Sequence, residues 1–286
     1  MSLPMKFGVS TWLWTSPFQT SSIDELFAKV AKMGYDYIEI AVEDPAIIDG
    51  EAVKAALAKY GLKAIVCGAF GPTRDLTHED PAIHQNCFKY IEACLDFCAL
   101  WDTKFFAGPM YSAVGKARML FQEQRKQEWQ LAVENLRIVC EMAASRGLEI
   151  ALEPLNRFES DLVNTADDVL RLIRDINHPA AKIILDGFHM NIEEPDIVAA
   201  IKLAGDLLIH VQVSENYRGT PGTGQTNWAA YKEGLEAINY KGVISIESFT
   251  PMNQELAAAV CIWHPLAESQ DAFATEGLEF LKSTFR

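Results

Sequence analysis

With 286 residues the chain is longer than most single domains, yet 49% hydrophobic and 22% charged residues are ordinary for a globular protein with a large core. The 25 Lys and Arg against 39 Asp and Glu leave a formal charge of -14, so a nucleic acid or an anionic membrane surface is not expected as a partner. Met1 to Pro4 lack the charged and apolar regions of a signal peptide, no run of about 18 apolar residues occurs, and the six cysteines are scattered, with Cys87, Cys94 and Cys98 at helical spacing; the expectation is a cytoplasmic protein with reduced thiols, in which Met1 to Pro4 read as an added leader.

From there short apolar or β-branched runs alternate with longer amphipathic stretches. A strand over Phe7 to Thr11 precedes a helix over Ser22 to Met33, and Tyr37 to Ala41 precedes Asp49 to Tyr60. Lys63 to Gly68 precedes Pro81 to Leu100, and Lys104 to Gly108 precedes a long helix around Glu123 to Arg146. Glu149 to Glu153 is followed by Thr165 to Ile176, Lys182 to Asp186 by Glu194 to Ala204, Leu208 to Val213 by Trp228 to Ile238, and Val243 to Glu247 by Ala272 to Thr284. Gly34, Gly61 and Gly147 stand where helices end. Eight such βα units without a linker predict one (β/α)8 barrel, a TIM barrel, over 1–286.

Barrel enzymes place their chemistry at the carboxyl ends of the strands, where a buried charge is costly unless paired or bound to a metal. Three strands end in a carboxylate: Leu148-Glu-Ile-Ala-Leu-Glu153, Ile183-Ile-Leu-Asp186 and Val243-Ile-Ser-Ile-Glu247. Their spacing lets all three reach one point near the barrel axis, and oxygen donors suit a hard divalent ion. On strand seven His210 and Gln212 share a face, so either or both reach the site, with His210 read equally well as a core histidine or as a ligand. Asn156, Arg157, Glu159, His189, Glu215, Asn216 and Arg218 follow the same strand ends. Trp12, Trp14, Cys67, Phe70, Tyr111 and Phe249 offer apolar walls suited to the C–H faces of a sugar. The run Gly219-Thr-Pro-Gly-Thr-Gly224 matches neither a phosphate loop nor a dinucleotide fingerprint and reads as a turn or lid.

The segments Glu153-Pro-Leu-Asn-Arg-Phe-Glu159, Leu185-Asp-Gly-Phe-His-Met-Asn-Ile-Glu193, Ser214-Glu-Asn-Tyr-Arg218, Pro221-Gly-Thr-Gly224 and Ile246-Glu-Ser-Phe249 resemble the D-tagatose 3-epimerase group, related to the xylose-isomerase-like barrels. The resemblance is close over the second half of the chain; the first half shares the strand pattern, Phe70-Gly-Pro and Asp75-Leu-Thr. It implies that Glu153, Asp186 and Glu247 bind a metal, that Glu153 and Glu247 form the acid–base pair, and that Glu159, His189 and Arg218 hold the substrate, with Trp14, Cys67 and Phe249 expected around it. Where the group has a histidine ligand, six residues before the arginine, this chain has Gln212, whose amide oxygen can still ligate a hard ion. Mn²⁺ is the expected cofactor, with Mg²⁺ or Co²⁺ as alternatives, a small sugar the expected partner, and a homo-oligomer, dimer or tetramer, compatible with the pattern.

Such a site supports proton abstraction beside a carbonyl, giving epimerisation if the proton returns to the other face or aldose–ketose isomerisation if it moves to the adjacent carbon. Metal-assisted elimination or hydrolysis of a keto-glycoside begins in the same way and is the rival enzyme reading. A multi-zinc nuclease would need more histidines than the six present and a less acidic chain. A non-catalytic sugar-binding barrel is the third reading, prompted by Gln212.

Overall fold

The computed structural model describes residues 5–286; the leader expected at Met1 to Pro4 lies outside the described residues. Eight parallel strands, β1 (Lys6–Ser10), β2 (Tyr37–Val42), β3 (Lys63–Gly68), β4 (Phe105–Gly108), β5 (Glu149–Leu152), β6 (Ala181–Asp186), β7 (Leu208–Val213) and β8 (Val243–Ile246), pair in chain order, and β8 closes onto β1. The expected TIM barrel is therefore observed, with strand limits within one residue of the sequence reading.

The helices are α1 (Ile23–Met33), α2 (Gly50–Tyr60), α3 (Pro81–Leu100), α4 (Gln122–Ala144), α5 (Ala166–Ile176), α6 (Gly187–Glu193), α7 (Ile197–Ala204), α8 (Trp228–Ala237), α9 (Gln254–Val260) and α10 (Gln270–Phe285). Their ends follow local chemistry. Asp49 accepts from the N–H groups of Glu51 and Ala52 at the start of α2, and Gly61 closes that helix at φ +68°. Thr165 and Asp168 form a reciprocal capping box on α5. The sequence reading missed α6 and α9, each only seven residues long and so too short to display a helical period. It also began α7 early: Asp196 caps that helix, and Glu194 belongs to the turn out of α6.

Alternate strand residues face two different cores. Outward residues such as Phe7, Ile38, Phe106, Ile150, Leu185 and Ile244 join the large apolar layer beneath the helices. Inward residues are smaller or polar: Cys67, Ala107, Ala151 and Ile184 form a compact cluster, and Glu39, His210, Gln212 and Ser245 are fully buried. Gly8 belongs to this crowded interior, since a Cβ there would stand 2.4 Å from Ser245 Oγ. All six cysteines are free, five of them buried. No helix among the described residues is long and apolar enough to cross a membrane.

The mouth of the barrel is fastened by Tyr90 of α3. Its hydroxyl accepts from the Ala69 N–H (2.8 Å) and donates to the Val42 carbonyl, tying the exits of β2 and β3 together. Arg74 lies over the Tyr90 ring at 3.7 Å and donates to the carbonyls of Ala69 and Glu43. Removing the hydroxyl leaves two backbone groups without that partner. Tyr90→Phe is therefore expected to lower unfolding free energy by about 1–3 kcal/mol, measured by urea denaturation; an unchanged midpoint would rule out the fastening role.

Candidate active site

Glu153, Asp186 and Glu247 stand at the carboxyl ends of β5, β6 and β8 and are 5%, 0% and 4% exposed. Asp186 is also the N-cap of α6, its Oδ1 accepting from the Phe188 N–H at 2.9 Å. This capped turn swings His189 back over the strand ends, where its Nε2 lies 3.5 Å from Glu153 Oε1 and 3.7 Å from Asp186 Oδ2.

Asn156 fixes the histidine. Its backbone N–H (3.1 Å) and its side-chain Nδ2 (2.8 Å) both donate to His189 Nδ1. The Asn156 amide is itself oriented, because Oδ1 accepts from the Phe158 N–H and Nδ2 also donates to Glu159 Oε1. With Nδ1 an acceptor, the proton of the neutral ring is assigned to Nε2, facing the carboxylates. Burial pushes the imidazole below its ordinary value in spite of the Asp186 charge, which favours that neutral form.

Arg218 enters from the loop after β7. Its backbone is left-handed (φ +64°), held by its N–H donating to the Glu215 carbonyl. Its guanidinium reaches Asp186 Oδ2 at 2.5 Å and Glu247 Oε2 at 3.1 Å, over the Phe188 and Phe249 rings at 4.2 and 5.2 Å. Burial raises the carboxyls of Glu153 and Glu247 well above the usual range; the Asp186 charge adds to this and Arg218 opposes it. Asp186 resists its own burial because Arg218 and the Phe188 N–H hold it below the ordinary value.

Glu39 in β2 was missed by sequence reasoning, although a lone Glu inside Tyr37-Ile-Glu-Ile-Ala-Val42 is the signal that marks it. It is fully buried and receives His210 Nε2 on one oxygen and Gln212 Nε2 on the other, both at 2.6 Å. Glu39, Glu153, Asp186 and Glu247 thus set four buried carboxyl groups against one guanidinium. The sets Glu153, Asp186, His189 and Glu39, Cys67, Glu247 each bring their donor atoms within 4.8 Å of one another. Buried oxygen donors carrying uncompensated negative charge fit a hard divalent cation.

Beside these groups lies a cavity of about 400 Å³ whose walls include Trp12, Cys67, Phe70, Glu153, Leu155, Glu159, His189, Arg218, Glu247 and Phe249, with Leu256, Ala259 and Val260 of α9 on one side. Trp14 does not join them. A 3-10 turn at Thr11–Leu13 breaks the strand's alternation, so Trp12 packs at a tilt against Phe249 (5.5 Å) while Trp14 turns to Asp271, 2.7 Å away. Tyr111 is fully buried, its hydroxyl on the Val163 carbonyl. Arg157 pairs with Glu193 at the surface. Glu215 organises the glycine-rich turn, accepting from the N–H groups of Gly222 and Thr226 and from Trp228 Nε1, while Asn216 accepts from the Gln225 N–H. His210 lies deeper, on Glu39, and Gln212 turns its amide nitrogen to Glu39 and Glu247.

The closed barrel has counterparts in known proteins. The chain belongs to the Xylose isomerase-like TIM barrel family, which it matches over residues 27–284. It is 31% identical to an L-ribulose 3-epimerase from Methylomonas over 98% of both chains. The crystal structure of a Methylomonas D-allulose 3-epimerase in complex with D-allulose superposes with a TM-score of 0.91, at 31% identity and complete coverage of both chains. A D-psicose 3-epimerase from Clostridium cellulolyticum, solved with D-tagatose, gives 0.88 at 28% identity, covering 99% of this chain and 100% of that one. Its relatives include ketose 3-epimerases, and its buried acidic and histidine groups are compatible with a metal-dependent member.

The raised carboxyls make stability depend on pH. In chelated protein the native state keeps protons on Glu153 and Glu247 that the unfolded chain releases near pH 4.5, so stability falls as pH rises from there through the raised native values. A divalent ion needs these groups deprotonated, so its stabilising effect grows over the same range. Thermal melts of chelated and Mn²⁺-loaded protein between pH 5 and pH 8 should diverge with rising pH, and Glu247→Gln should reduce the slope of the chelated series. Parallel melting curves would contradict the assignment.

Proposed function

We propose that this protein is a metal-dependent ketose 3-epimerase acting on an unphosphorylated ketose, with Glu153 and Glu247 as its acid–base pair. The observation that carries the reading is the placement of these two buried carboxyls at the ends of β5 and β8, three positions apart around an eight-stranded ring, so that they reach the mouth from different sides. Two proton-transfer groups on opposite sides of a carbon are what inversion at that carbon requires.

Burial and the neighbouring acids raise both carboxyls above their ordinary range, so that in the proposed cycle one can carry the proton while the other is ionised. The ionised carboxylate takes the proton from C3 of the ketose, and the resulting enediolate carries its charge on the former carbonyl oxygen and the neighbouring carbon. The protonated partner then delivers its proton to the opposite face of C3. The pair ends with its protonation exchanged, ready for the reverse reaction. The Nε2–H of His189 and the guanidinium of Arg218 are the donors beside the developing negative charge. A divalent ion held by Glu153, Asp186 and Glu247, with Mn²⁺ favoured over Mg²⁺ or Co²⁺, would add Lewis-acid stabilisation to the same charge.

The rest of the cavity supports a neutral sugar. Trp12, Phe70, Leu155 and Phe249 present apolar surface to C–H groups, and Glu159, Asn253 and Glu255 offer partners for hydroxyls. Arg218 is the one Lys or Arg among the described lining residues, and Asp186 and Glu247 already engage it, so a phosphate would meet Glu43, Asp44 and Glu255 instead. The D-allulose and D-tagatose bound by the relatives are uncharged ketoses, which agrees with this charge pattern.

Glu153→Gln and Glu247→Gln should each lower kcat by about 10² to 10⁴-fold or more while far-UV circular dichroism stays that of the wild type. Incubating wild-type protein with ketohexoses and ketopentoses in D2O should yield the 3-epimer with deuterium at C3. A 3-epimer that keeps its original C3 hydrogen, or conversion to an aldose alone, would overturn the proposal.

A further inference from the structure

Gln212 occupies the floor of the site and has two neighbours that both want protons. Its Nε2 lies 2.6 Å from Glu39 Oε1 and 2.8 Å from Glu247 Oε1, so each amide proton has a carboxyl oxygen of its own. The amide oxygen is buried and has no hydrogen-bond partner. Turning the amide over would aim that oxygen at two carboxyl oxygens and lose both of these bonds. Two charge-assisted bonds, each roughly twice as strong as a neutral one, outweigh one orphaned oxygen. The orientation is anchored from below, because the other oxygen of Glu39 holds His210 Nε2 at 2.6 Å.

The two oxygens of Glu247 are thereby divided. Oε1 faces the floor and Gln212, whereas Oε2 faces Arg218, whose same nitrogen also contacts Asp186. The side of Glu247 shared with Asp186 is therefore the side away from Gln212. An imidazole at position 212 would have one N–H for Glu39 and a bare nitrogen left for a cation; the amide spends both protons on the two carboxyls. We propose that Gln212 is a positioning residue that grips Glu247 through a donated N–H, braced by Glu39 and His210, and that β7 gives the cation no ligand. This rests on the reading of Glu247 as half of the acid–base pair.

The test has two arms. In crystals of wild-type protein grown with saturating Mn²⁺, the ion, located by its anomalous signal, should be ligated from Glu153, Asp186 and Glu247, with Gln212 Oε1 outside the coordination range of about 2.0–2.6 Å; Gln212 Oε1 within that range overturns the proposal. In the second arm Gln212→Leu, which keeps an apolar body but donates nothing, should lower kcat by about 10 to 100-fold with KM within about threefold of wild type at saturating Mn²⁺. A raised KM with unchanged kcat, or no change in either, also overturns it. Should Gln212→Leu fail to fold, the wild-type crystal decides alone. Wild-type protein that turns over no ketose would fell the proposed reaction and leave the ligand question to the same crystal.

Discussion

The organisation of this molecule depends on holding several carboxyl groups in a place where water cannot screen them. Closing eight strands into a ring directs every second side chain at the axis, and at the carboxyl end those side chains include Asp186, Glu153 and Glu247, with Glu39 one layer down. Much of the local structure answers that concentration of charge. Asp186 is stabilised by capping α6 and by Arg218; the α6 it caps carries His189; and Asn156 turns that ring so that it presents a proton to the carboxylates. Arg218 requires a left-handed backbone to arrive, and Glu215 maintains the turn that delivers it.

The charge is not neutralised by these partners, and that imbalance is the functional resource. A fully paired site would hold its carboxyls well below neutrality, where they bind hard ions readily but make poor proton donors. One guanidinium shared between Asp186 and Glu247 leaves Glu153 and Glu247 on the raised side of their ordinary values and keeps Asp186 on the lowered side. Environment thus pushes three chemically similar groups in different directions, Asp186 toward its charged form and Glu153 and Glu247 toward the neutral one.

The barrel was legible in the sequence because each βα unit carries its own period and its own stops, and because three strands end in an acid where an apolar residue would be cheaper. Glu153, Asp186, Glu247, His189 and Arg218 converge as that pattern predicts. What the sequence hid lies where local rules are overridden. Trp12 and Trp14 follow a strand and are both expected in the pocket, but the 3-10 turn at Thr11–Leu13 changes the side-chain period, so that Trp12 lines the pocket and Trp14 turns to Asp271. Glu39 sits in mid-strand, marked in the sequence only as a lone acid in an apolar run, and its role emerges from its partners on β7, five strands later in the chain but near in space. Helix α9 escaped notice because its seven residues owe their helicity to the Asn253 cap and to packing of Leu256 and Ala257, not to a repeated apolar face.

Glu39 also sets what strand seven must supply at position 212. A buried carboxyl at that depth needs donors, and it finds one in His210 from below and another in the residue at 212 from above. Any side chain at 212 that supplies an N–H downward satisfies this structural demand; what it has left to offer upward is then decided by its chemistry. An imidazole has a lone pair remaining, and a primary amide has a second proton. The carboxyl end of the barrel therefore receives a hydrogen-bond donor aimed at Glu247, and under the proposed reading a cation would be left to the strand-end carboxylates, whose hardness and negative charge suit Mn²⁺ or Mg²⁺ better than softer ions.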